Sequence, residues 1–320
     1  MISGEGAHAV TDRRAKFEAT LTRTAHARAQ EAGAAIARAS LLKDAMYRFA
    51  RNRAALFAAF SFLVMIVFVV FVPIFRDADP DAVDFSKAFL QPSLEYPFGT
   101  DEFGRDLFVR TALGGRISIA IGFVATFAIM FVGVVYGAIS GFAGGRTDNG
   151  MMRFLDALYG LPYLPFAIIT LAIFGTVNFW TMVVALTVAS WFTTARVMRG
   201  QIITLKENDY VRAANALGAR WYRVLFRHLL PNTLGVMLIF VFLDLPGVVL
   251  GEAFLSFLGM GIQPPQASWG TLAQDGYTAY QEHPYIIVIP SLCIGWLIIS
   301  AFFIADGLRD ALDPRTREHF

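Results

Sequence analysis

YVRAANALGARWYRVLFRHLLPN, residues 210–232, carries four arginines (Arg212, Arg220, Arg223 and Arg227) and His228, with apolar runs on both sides. The chain leaves hydrocarbon, passes through a basic, helix-prone, glycine-interrupted stretch, and returns to hydrocarbon. Residues 208–217 are compatible with a helix, and Asn208 or Asp209 can cap its start. Ala213 and Ala214 leave one face of that helix flat, and Gly218 permits a sharp turn. A second helical piece is expected over 219–229, ended by Pro231, with Asn232 or Thr233 capping the apolar helix that follows. A basic loop that only sets topology, or rests on anionic lipid, accounts for the arginines. It does not require the paired alanines, the glycine four residues later, or Pro-Asn just before the next apolar run.

Composition sets this stretch in a membrane. Of 320 residues 56% are hydrophobic and 16% charged, where a soluble domain carries about 25% charge. The net charge of +2 says little, because the charges are sorted by segment. The single cysteine, Cys293, lies in an apolar run, excludes an intrachain disulfide and reads as a packed apolar residue. Six apolar spans are expected, near 54–75, 117–141, 154–175, 179–197, 234–257 and 285–305, each with the roughly 20 residues that cross a bilayer. An even number puts both termini on one side. With that side cytoplasmic, 22 of the 27 Lys and Arg fall in cytoplasmic segments and 5 in external ones, the bias that fixes orientation. Residues 1–39 then read as a cytosolic tail and 40–53, SLLKDAMYRFARNR, as an amphipathic helix on the membrane surface. Residues 76–116 form an external loop, 198–233 the longest cytoplasmic loop, 117–306 the core, and 307–320 a cytosolic tail.

Within the spans, Gly133, Gly137, Gly141 and Gly145 recur every four residues and make a smooth strip for close helix packing. Pro162 and Pro165 in the third span and Pro246 in the fifth imply kinks. Asp244 and Glu252 are acids at membrane depth, where a charge is costly and turns to protein or water. Glu252, near the end of its span, is read as an acid that reaches the interface. For Asp244 that reading and a place beside Pro246 on a translocation path stand equal. No GxxxxGK[ST], HExxH or GxSxG occurs, and no Cys or His pair has metal-ligand spacing. The chain reads as a conduit without catalytic residues, metal, cofactor or nucleic-acid partner.

The opening stretch resembles the cytoplasmic loop motif of ABC importer permeases, in outline Glu-Ala-Ala, three residues, Gly, then Leu-Pro. Here it reads Arg212-Ala213-Ala214, Gly218 and Leu230-Pro231-Asn232, with arginine where the general pattern has glutamate. YPFGTDEFGRDLFVRTALGGRISI (96–119), GGRTDNGMMRFLDALYGLPYL (144–164), EAFLSFLGMGIQPPQASWG (252–270) and DGLRDALDPR (306–315) are similar to the second, C-type permease of dipeptide and oligopeptide importers. The resemblance covers residues 40–315. It implies an all-α, six-span permease fold in a prokaryotic cell membrane, contacting lipid and forming half of a translocation pathway with a homologous second permease. It further implies two cytosolic ATPase subunits that bind the ATP, and an extracytoplasmic binding protein that delivers substrate. Asp209, Tyr210, Arg212, Ala213, Ala214, Gly218, Leu230, Pro231 and Asn232 would then couple the bundle to the ATPases, and segments 76–116 and 258–284 would meet the binding protein or the partner permease. The same machine carrying nickel or another small solute fits equally well at the level of motifs. A secondary transporter acting alone would call for inverted repeats and charged mid-span sites, and neither is seen.

Overall fold

The structure is a computed structural model that describes residues 46–76 and 79–312. The tail expected over 1–39, the first part of the surface helix expected over 40–53 and the end of the tail expected over 307–320 lie outside the described residues. Among those described the chain is helical throughout, and the only strand-like pairing is a bridge between Thr100 and Asp106.

Among the described residues nine helices carry the architecture: α1 (Arg53–Phe75), α2 (Leu107–Ala143), α3 (Gly145–Tyr159), α4 (Tyr163–Phe174), α5 (Phe179–Lys206), α6 (Asp209–Ala216), α7 (Trp221–Met260), α8 (Trp269–Thr278) and α9 (Tyr285–Leu312). Five of them, α1, α2, α5, α7 and α9, are long and apolar enough to cross a membrane, and the bent pair α3–α4 makes a sixth if it counts as one span. Residues 46–51 form a further helical turn that enters α1 through Asn52, whose side chain accepts from the Ala55 N–H. Other starts are fixed the same way. Asp106 accepts from Phe108 N–H at α2, Asn178 and Thr181 form a capping box at α5, and Ser268 and Thr271 form another at α8.

The third span departs from expectation. Residues 154–175 are not one helix: α3 and α4 meet at 91° across Gly160–Leu161–Pro162. Pro162 and Pro165 do not kink a helix but begin one. Pro162 is the N-cap of α4 and Pro165 lies in its first turn, where no intrahelical N–H partner is lost. The 12 residues of α4 span about 18 Å, short of a full hydrocarbon crossing.

The fifth span also differs. Pro231 does not end a helix, because α7 runs on from Trp221 through Pro231 to Leu255 without a break. The turn before the proline widens to a π-helical form over Val224–Leu229, and the Leu230 N–H reaches back to the Leu225 carbonyl. That widening takes up the missing N–H and the ring without a break. Asn232 and Thr233 therefore cap nothing; their side chains bond backwards to the His228 and Leu230 carbonyls. At the other end, Gly259 leaves the helix at φ +82. The last helix, α9, continues through Leu312, so residues 307–312 are helix and not tail.

The core runs along α2, which packs on α5, α7 and α1. In α1, Pro73 deprives the Val69 carbonyl of its helical partner. Arg116 of α2 fills the gap: its Nε donates to Val69 O at 2.7 Å and its Nη2 donates to Val70 O. Against α5 the contact is through glycine. A Cβ on Gly133 would lie 2.7 Å from Thr194 Cβ, one on Gly137 2.2 Å from the Ala195 carbonyl oxygen, and one on Gly141 2.8 Å from that of Arg199. Gly145 is not part of this strip. It opens α3 with φ +57 and has nothing within 4 Å.

The segments between spans at the acidic end, expected as external loops, fold onto each other and onto the bundle. Tyr285 Oη donates to Leu90 O at 3.0 Å, Phe89 stacks on His283 at 4.4 Å between ring centroids, and Trp269 of α8 is fully buried with its Nε1 donating to Thr111 O. Asp101 closes its own loop by accepting from the N–H groups of Phe103 and Arg105 and from Arg105 Nε.

Candidate functional site: the loop between α5 and α7

Between α5 and α7 the chain makes a short helix, a turn and a re-entry. The eight residues of α6 are too few to hold a helix by propensity in water. Tertiary contacts hold it instead. Val211 is buried against Val224, Leu225 and Leu229, with Met198 and Ile202 of α5 behind them. Asn208 is the N-cap residue by backbone geometry, with no side-chain bond, and Asp209 stands in the first turn, where a negative charge favours the helix dipole.

The end of α6 is a Schellman turn. Gly218 N–H donates to Asn215 O at 2.9 Å and Ala219 N–H donates to Ala214 O at 3.0 Å. Gly218 sits at φ +76, which a residue with a Cβ adopts only under strain. Ala214 and Ala219 are half-buried against the same apolar cluster, which leaves the Schellman signature complete. Asn232 closes the loop from the far side: its Nδ2 donates to Tyr210 Oη at 3.2 Å and to His228 O at 2.5 Å. Residues 22 apart in sequence thus brace α6 against α7. Leu230 and Pro231 are half-buried at that joint and are not exposed.

What α6 shows to solvent is Tyr210, Arg212, Ala213, Asn215 and Ala216, followed by Leu217, which is 89% exposed. Arg212 is on this open face. Leu217 was not singled out from the sequence, where one leucine beside a glycine gives no signal. Its exposure follows from the turn, which points the last residue before Gly218 away from the cluster that buries Val211.

The two acids in the fifth span divide. Asp244 is half-buried and accepts from Thr194 Oγ1 of α5 at 3.1 Å, and Pro246 nearby is buried. Glu252 does not reach an interface: it is 0% exposed. Ser118 of α2 donates to its Oε2 at 2.9 Å and Ser256 of α7 donates to its Oε1 at 2.7 Å. Ser118 also accepts from Trp269 N–H at 3.1 Å, so one carboxyl ties α2, α7 and the start of α8. Charge alone implied an interfacial place; hydroxyls brought from distant segments make burial tolerable instead. Among the described residues no group of His, Cys, Asp and Glu is arranged to hold a metal ion.

A bundle of membrane-length helices with a short helix held out between two of them defines a multi-pass membrane protein. Residues 133–318 match the family model of the binding-protein-dependent transport system inner membrane component, and residues 40–92 match the N-terminal transmembrane domain of oligopeptide transport permease C. The chain belongs to this family of transport permeases. It is 42% identical over 282 residues to an oligopeptide transport system permease protein of Bacillus subtilis, covering 87% of this chain and 91% of that one. To the corresponding protein of Haemophilus influenzae it is 40% identical over 280 residues, 87% and 90% of the two chains. To a dipeptide transport system permease protein of Bacillus subtilis it is 39% identical over 279 residues, 87% of each.

Proposed function

We propose that this chain is one of two membrane-spanning halves of an ATP-driven importer of dipeptides and oligopeptides in a prokaryotic cell membrane. A homologous permease completes the pathway, two cytosolic ATPases drive it, and an extracytoplasmic binding protein supplies substrate. The observation that carries this reading is the α6 loop. It is a rigid element, pinned by Val211, closed by Gly218 and braced by Asn232, yet it shows a flat alanine face and an exposed Leu217 to the outside. An element of that kind passes a push from a docked protein to the two long helices that hold it. Asp209, Tyr210, Arg212, Ala213, Ala214 and Gly218 form the docking piece, and Leu230, Pro231 and Asn232 form the joint to α7. Gly133, Gly137 and Gly141 let α5 move as one body with α2. Asp244, beside Pro246, is assigned to the pathway lining. The peptide as substrate is supported by the similarity to oligopeptide and dipeptide transport permeases, and both termini face the cytosol by the distribution of Lys and Arg.

The test is a mild-detergent purification of the tagged chain, with mass spectrometry of what accompanies it, followed by reconstitution with the binding protein. A second permease and ATPases in fixed ratio, with ATP-dependent peptide uptake, support the reading. A lone chain that moves solute in liposomes overturns it.

A further inference from the structure

α3 carries two carboxylates that meet α5. Asp148 stands in its first turn and is 7% exposed. Arg199 Nε donates to Asp148 Oδ1 and Arg199 Nη2 to Oδ2, both at 2.6 Å, which is the two-bond fork that fixes orientation as well as distance. Ser140 of α2 donates to the same Oδ1 at 2.5 Å. Further along α3, Asp156 accepts from Arg196 Nη2 at 2.5 Å, and the Arg196 guanidinium lies over the Tyr159 ring, 4.5 Å from its centroid. Between the two ion pairs Leu155, fully buried, packs against Phe192 and Ala195 of α5. α3 is thus fastened to α5 at three successive points.

Both arginines stand on the stretch of α5 that leads to the coupling loop. Arg199 lies seven residues before Lys206, where α5 ends just short of α6, about 10 Å along the helix. The end of α5 is itself tied to α2, as Lys206 Nζ donates to Phe142 O at 2.8 Å. On the other side, α3 passes into α4 through only Gly160, Leu161 and Pro162. A displacement of α6 has a continuous mechanical route through α5 and α3 to the bent α4.

We propose that Asp148–Arg199 and Asp156–Arg196 are positioning pairs for coupling: they make α3 and α4 follow α5 when the α6 loop is pushed. This deepens the importer reading and rests on it. The cost of separating the two elements explains why ion pairs are used beside apolar packing. A fork between fixed groups resists sliding and rotation, whereas an apolar contact alone permits both.

The experiment uses the assembled complex in liposomes and measures peptide uptake and ATP hydrolysis on the same sample. Arg199→Lys keeps the charge and loses the fork. Asp156→Arg and Arg196→Asp reverse the outer pair, singly and together; with side chains 63% and 40% exposed that pair contributes little to stability, so these variants fold. The expected result is a several-fold loss of peptide taken up per ATP hydrolysed in Arg199→Lys and in each single reversal, with recovery in the double reversal. A purely structural role would lower both activities together with the amount of complex and leave their ratio unchanged. An unchanged ratio in the single variants, or no recovery in the double, overturns the inference alone. A wild-type complex with no ATP-driven peptide uptake overturns the importer reading, and the inference with it.

Discussion

Gly218, at φ +76 with nothing within 4 Å of a built Cβ, is constrained by backbone and not by space. Gly218→Ala should therefore cost about 1–2 kcal/mol of local turn stability. Gly218→Leu, with a larger side chain at the docking face, should abolish uptake while leaving the protein in the membrane, and Gly218→Asn should retain more, since asparagine tolerates this region. Uptake normalised to the amount of membrane protein decides it; normal uptake in Gly218→Leu would remove the coupling role from this loop. Arg212 is exposed, so Arg212→Glu should be tolerated. Glu252 is held by hydroxyls, and Glu252→Leu leaves at least two of them without their acceptor, at about 1–3 kcal/mol for each that finds no other. Glu252→Gln keeps an acceptor oxygen and should fall well short of that loss in thermal unfolding in detergent.

At the scale of the helix pair, α2 and α5 approach closely because three glycines lie where a Cβ would meet α5, at the Thr194 side chain for Gly133 and at backbone carbonyls for Gly137 and Gly141. Gly137→Leu forces apart two elements that hold the Ala195 carbonyl in place, and overpacking of this kind costs about 1–3 kcal/mol or more. Gly200→Ala in α5 meets no neighbour and has no left-handed backbone to strain. Melting of the detergent-solubilised variants should show a large drop for the first and a small one for the second. Similar drops would mean that the glycines act through helix flexibility and not through contact. The break between α3 and α4 is also a matter of elements. The apolar run over 154–175 has the length of a span, and the prolines within it were expected to bend a helix. Because a proline at the start of a helix loses nothing, the same residues can equally begin a new one, and tertiary contacts of α3 with α5 select that outcome.

At the scale of the molecule, the long helices and the bent pair leave two chemically different ends, one basic and one acidic. With Cys293 replaced by alanine, single cysteines at Asn215 and Glu102, both exposed, report which end faces which side. The residue 215 site should react with a membrane-impermeant maleimide only when the cytosolic face is accessible, and the residue 102 site only from outside. Labelling of both from one face would contradict the six-span topology.

Five of the six long apolar segments, the basic character of the α5–α7 loop and the turn at Gly218 were legible in the sequence, because each follows from local chemistry: hydrocarbon needs length, a stretch outside it admits charge, and a left-handed turn calls for glycine. The family resemblance was legible for the same reason, in short motifs whose order does not depend on packing. The course of the chain through Pro231, the 91° bend after α3, the burial of Glu252 among serines and the forks of Asp148 and Arg199 were decided by tertiary structure. Each depends on partners brought from other parts of the chain, Ser118 to Glu252 across 134 residues and Arg199 to Asp148 across 51. A polar or helix-breaking residue announces only that it needs a partner or a widened turn, and the fold alone decides where that need is met.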